Sequence, residues 1–177
     1  MKIRSESTIQ HPRTAVFEAY RDHLSEIAAF LPDIEDIHVL NRTEVESHTH
    51  LHNEWISNAD IPAVARSFLQ PEHLRWDDHA VWNPTEFVVE WRLETRVFQE
   101  AFSCHGSNRF LEEGPSSTRV VVEGDLTLDL RELPGVPSFV AKRLAPQVEG
   151  FIVKMITPNL EEVNRAVGRY LESRAGT

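Results

Sequence analysis

Between Ile37 and Leu130 the chain alternates apolar and polar residues in run after run, and any fold for it must satisfy that period of two. Over residues 87–97 the odd positions Phe87, Val89, Trp91, Leu93 and Val97 are apolar, with Glu90, Arg92, Glu94 and Arg96 between them. Over residues 120–130 the even positions Val120, Val122, Leu126, Leu128 and Leu130 are apolar, against Arg119, Glu123, Asp125 and Asp129. The runs 37–45, 47–55, 74–82 and 102–110 alternate in the same way. Strands that are apolar on one side only, following one another closely, build an antiparallel sheet with one wet face and one covered face.

The cover is expected from the C-terminal segment. From Val140 onward, Leu144, Val148, Phe151, Ile152, Met155, Ile156, Leu160, Val163, Val167, Tyr170 and Leu171 form the longest stripe of helical spacing in the chain. Pro146 and Pro158 predict a kink or break near each. At the other end, residues 2–10 read as a strand. Pro12 suits a first helical turn, and Val16, Phe17, Tyr20, Leu24, Ile27, Ala28 and Leu31 predict one bent helix or two short ones. No repeat, low-complexity stretch or linker divides the 177 residues, so a single domain spanning 1–177 is expected.

Charge and composition narrow the function classes. With 18 Lys+Arg against 28 Asp+Glu, the formal charge of -10 disfavours phosphate backbones and anionic lipid surfaces, which argues against nucleic acid as a partner. No apolar run reaches bilayer length, and the opening residues Met1-Lys2-Ile3-Arg4-Ser5-Glu6 lack the apolar core of a signal peptide. The only cysteine, Cys104, fits a reducing compartment, so a cytoplasmic protein is expected. The Asn41-Arg42-Thr43 glycosylation pattern then carries no weight. With 7 glycines and no Gly-rich phosphate loop or nucleophile elbow, no cofactor is indicated.

Chemistry is sought on the inward parity of the strands. All four tryptophans, Trp55, Trp76, Trp82 and Trp91, fall there, either lining a ligand cavity or filling a core. Asn41, Thr43, Thr49, Asn53, Asp78, Thr95 and Asn108 share the same parity, as a ligand pocket would require, or else they meet water at strand ends. A buried Asp78 needs a donor, a wet cavity or a shifted pKa. His48, His50 and His52 alternate on one strand face and could chelate zinc with a further ligand. Their face is opposite Leu51 and Trp55, on the solvent side, so no metal is assigned. Cys104 lies inward with no base beside it and reads as a small buried hydrophobe. The pairs Asp77-Asp78, Glu112-Glu113 and Glu161-Glu162 diverge as sequence neighbours must, rather than forming dyads. Residues 60–70 predict a short amphipathic helix that either lids a cavity mouth or packs permanently on the sheet edge.

The order strand, two short helices, six strands and long helix resembles the helix-grip fold of the START-like superfamily, also called SRPBCC or birch-pollen-allergen-like. The local match runs from Pro12-Arg13-Thr14-Ala15-Val16-Phe17 through Tyr20 and Asp22 to Phe30-Leu31-Pro32-Asp33. The resemblance implies an α+β fold, a curved antiparallel sheet of about seven strands wrapped around the C-terminal helix, with a cavity for an apolar or amphipathic small molecule such as a lipid, isoprenoid or polyketide. Trp55, Trp76, Trp82, Trp91, Phe151 and Met155 would line that cavity, and Asn41, Thr43, Asn53, Asp78 and Asn108 would orient the polar end of the ligand. An enzyme similar to polyketide cyclases and aromatases, with Asp78 as acid or base, is the alternative. A third is a ligand-free interaction module using the acidic outer face or the C-terminal helix.

Overall fold

The computed structural model describes residues 1–61, 66, 70, 74–96, 102–129 and 161–176. Strands β1 (Lys2–Ile9), β2 (Ile34–Val45), β3 (His48–Ser57), β4 (Arg75–Asn83), β5 (Val88–Thr95), β6 (Phe102–Gly114) and β7 (Ser117–Leu128) form one curved antiparallel sheet. Its spatial order is β1-β7-β6-β5-β4-β3-β2: a meander of six strands, with the first strand closing onto the last. Between β1 and β2 lie α1 (Arg13–Asp22), α2 (Leu24–Ile27) and a 3₁₀ turn (Ala28–Phe30). A final helix, α3, occupies residues 161–175. This is the expected helix-grip arrangement. Among the described residues, no helix is long and apolar enough to cross a membrane.

Ten residues are too few for a helix to stand alone in water, so α1 is held by packing. It buries Val16, Phe17, Ala19 and Tyr20. Phe17 is the hub, meeting Trp82, Phe87 and Phe110 edge-on at centroid distances of 5.1 to 5.2 Å. Helix α3 buries Val163, Ala166, Val167 and Tyr170, spaced as one helical face, in the same core. Polar latches fix its position: Tyr20 Oη donates to Asn164 Oδ1, Asn164 Nδ2 donates to Ser7 Oγ, and Tyr170 Oη donates to Glu26 Oε2 at 2.9 Å. The expected start of the long helix, the proline kinks at 146 and 158, and nearly all of segment 60–70 lie outside the described residues.

Strand β2 departs from simple alternation near its middle. Val39 stands opposite Asn53, but the next pairing is Asn41 with His52, leaving Leu40 unopposed and 49% exposed. This β-bulge reverses the parity of the rest of β2. Asn41 and Thr43, expected inward, therefore join His52 and His50 on the outer face. Arg42 and Glu44 take the inner side, where Glu44 Oε2 accepts a hydrogen bond from Thr49 and Arg42 reaches Asp22 of α1.

Candidate functional site

The pairing register carries the inner face across the sheet as a series of rungs. One rung runs Asn53–Asp78–Leu93–Cys104–Leu126, and the next begins Trp55–Trp76–Thr95. Asp78 is 8% exposed and Asn53 only 1%, and Asn53 Nδ2 donates to Asp78 Oδ2 at 3.2 Å. Burial pushes the Asp78 carboxyl above its ordinary range, and the Asn53 and Trp55 N–H groups offset this only in part. The indoles of Trp55 and Trp76 stack at 5.8 Å with 15° between their planes, and both are half-buried.

Several polar atoms here are buried and unused. Among the described residues, Asn53 Oδ1 and Thr95 Oγ1 have no hydrogen-bond partner. Trp55 Nε1 lies close enough to influence Asp78 but makes no hydrogen bond of good geometry. Buried polar groups are almost always satisfied, so a cluster of unsatisfied ones marks a place where another molecule can complete the set.

Trp91 occupies the rung beside this cluster. It stands opposite Ala80 and Gly106, and Gly106 in turn stands opposite Gly124. A Cβ on Gly106 would lie 2.6 Å from Trp91 Cζ2, and one on Gly124 would lie 2.9 Å from Trp91 Cη2. The paired glycines are thus a seat cut for the indole, and Trp91 Nε1 donates to Asn108 Oδ1 at 2.8 Å. Asn108 is accordingly engaged in holding Trp91. Trp82, at 3% exposure, belongs to the aromatic core around Phe17, with its own Nε1 unpartnered among the described residues. Phe151 and Met155 lie outside the described residues.

The outer face is ionic. His52 Nε2 and Asp77 Oδ1 lie 2.8 Å apart, His52 stacks on His79 at 4.3 Å, and Arg96 bridges Asp77 and Glu54. His48 and His50 share this side, as their alternation with Thr49 and Leu51 requires. An open groove of about 900 Å³ is lined by Lys2, Arg4, Glu123 and Asp125 together with Trp91, Gly106 and Gly124. Lys2 pairs with Asp125 at 2.8 Å and Arg4 with Glu123 at 3.8 Å. Cys104 is fully buried and its thiol is pushed up to about 12, which leaves it inert.

Sequence reasoning found Asp78, Asn53, Thr95 and the tryptophans but not the way they combine. The Asn53–Asp78 and Trp55–Trp76 pairings depend on the β3–β4 register, which no local residue signals. Interior glycines at 106 and 124 were the available sign of a close approach.

The sheet order, the early helix pair and the terminal helix define the START-like helix-grip fold, and comparison with solved structures agrees. The chain is similar to the Zhui aromatase/cyclase from Streptomyces, at 16% identity and a TM-score of 0.67 over 99% of this chain and 95% of that one. It is likewise similar to norcoclaurine synthase from Thalictrum flavum, at 12% identity and a TM-score of 0.61 over 97% and 86%. A START superfamily protein from Mycobacterium smegmatis matches at 15% identity and a TM-score of 0.52 over 97% of each chain. No family model matches the sequence, and no curated protein matches it. At these identities the likeness concerns the fold.

Proposed function

We propose that the chain binds a hydrophobic or amphipathic small molecule between the inner face of the sheet and its C-terminal segment, for transport, sequestration or sensing. One observation carries the reading: a buried Asn53–Asp78 pair with unused hydrogen-bonding atoms around it, set beside half-buried tryptophans. Aromatic walls with a few convergent polar groups are the usual make-up of a small-molecule site. Trp55, Trp76 and Trp91 form the apolar lining, and Asn53 and Asp78 orient the polar end of the ligand. Asn41 and Thr43 drop out because the bulge turns them to the other face, and Asn108 acts by positioning Trp91.

Native mass spectrometry of untagged protein purified without detergent, followed by organic extraction, tests the reading. The expected result is a bound mass of a few hundred daltons that is lost in Trp76→Ala. Protein that stays at its bare mass when offered hydrophobic ligands counts against it.

A second reading, an enzyme of the cyclase or aromatase type, is favoured by the raised pKa of Asp78, which suits a general acid. Asp78→Asn would then leave ligand binding nearly intact and abolish turnover.

A further inference from the structure

The groups gathered around Asp78 are mostly electron-rich. Among the described residues, Asn53 presents a buried amide oxygen with no donor, and Thr95, one rung along, presents an unpartnered hydroxyl. On that same rung the stacked Trp55–Trp76 pair is half-buried, and an indole carries negative potential on its faces. Among the described residues no cation answers this. Arg42, the cationic side chain that the bulge brings to the inner side, is held by Asp22 and Glu44. His52 and His79 sit behind Asp78 on the opposite face of the sheet.

We propose that the ligand of this site carries a protonated amine, whose N–H groups sit on the Asp78 carboxylate and Asn53 Oδ1 and whose charge lies against the Trp55–Trp76 pair. The inference rests on the binding reading above and narrows it from any apolar molecule to an amphipathic cation. An ammonium offers three donors and no acceptor, which complements an amide oxygen, a carboxylate and a hydroxyl at once. A neutral hydroxyl would satisfy Asn53 Oδ1 and leave the carboxyl without a counter-charge, and an anion would be repelled. In the empty site burial raises the Asp78 carboxyl above its ordinary value, and an ammonium beside it would supply the counter-charge that favours its ionised form.

Calorimetric titration of the intact protein at neutral pH with naphthylethylamine and its neutral isostere naphthylethanol separates the possibilities. The amine is expected to bind about tenfold or more tightly than the alcohol. That preference should collapse in Asp78→Asn and survive in Asp77→Asn, which alters the opposite face. Trp76→Leu, a second variant, should cut the preference about threefold through the lost π face. Alcohol binding as tight as the amine overturns the inference and leaves the hydrophobic-binding reading standing. An amine preference that persists in both Asp78→Asn and Trp76→Leu also overturns it. Failure of both probes to bind removes the inference together with the reading beneath it.

Discussion

Asp77 and Asp78 are neighbours in the chain, yet their carboxyls are displaced in opposite directions. The strand sends Asp77 to the outer face, where burial raises it but hydrogen bonds from Arg96 and His52 outweigh that and hold it below its ordinary value. Asp78 goes to the inner face, where burial dominates and the carboxyl is raised. Two adjacent acids thus respond oppositely to pH because a strand alternates its sides.

That opposition sets the pH dependence of stability. For Asp78 the native state holds its proton more tightly than the unfolded chain, so its contribution falls as pH rises from 3.8 through the raised native value. For Asp77 the native state releases its proton more readily, so its contribution is present above 3.8 and is lost as pH falls through the lowered native value. Urea unfolding of Asp78→Asn over a pH series should show a shallower decline toward high pH than the parent. Asp77→Asn should show a weaker loss toward acid. Curves parallel to the parent in both variants would contradict the assignment.

The glycine seat of Trp91 is testable by adding one methyl group. An ideal Cβ at Gly106 falls 2.3 Å from the Glu123 carbonyl oxygen and 2.6 Å from Trp91 Cζ2, and the first of these is backbone that cannot swing aside. Gly106→Ala should therefore cost about 1–3 kcal/mol and displace the indole. Reduced denaturation midpoints with altered tryptophan fluorescence are the expected signs, and unchanged values of both would remove the seat from the account.

Helix α3 depends on a latch of polar side chains. Tyr20→Phe removes the donor to Asn164 Oδ1, and Asn164 is 1% exposed, so water cannot readily replace it. The expected loss is about 1–3 kcal/mol, the usual penalty for stranding a buried polar group. Thermal unfolding monitored by circular dichroism would measure it.

Cys104 supplies a probe of the intact core. Its thiol is fully buried and pushed up to about 12, so a chromogenic disulfide reagent should react with the native protein only as fast as the protein opens. Addition of denaturant should release one equivalent of thiol rapidly. Prompt reaction of the native protein would mean that the strand end around Ile3 and Leu126 is far looser than its packing indicates.

The inner face of β3 to β7 was legible because one side of each strand is apolar and buried, which fixes which residues face inward though not which residues stand opposite one another. Helix α1 and the end of the C-terminal stripe were legible for the equivalent reason at period 3.6. The second half of β2 was not. From Leu40 to Val45 every residue is exposed, so neither side had a burial preference to betray the slip at Leu40. Phe87 is a smaller case: its parity suited a strand start, but it occupies the turn before β5 with φ 55°, and a phenylalanine gives no sign of a positive φ. Asp78 could be named from the sequence as an inward acid, whereas its partner Asn53 emerged only with the cross-strand register.

The supernumerary residue in β2 is one that the strand could lose without exchanging its two faces. With Leu40 present, the outer part of the β2–β3 hairpin offers the helix side Arg42 and Glu44. Deletion of the Leu40 codon would close the bulge and leave Asn41 opposite His52 and Arg42 opposite Leu51, so the same side chains would keep facing the helices. A lineage carrying this hairpin could therefore gain or lose the bulge by a single in-frame indel and keep the rim of its sheet.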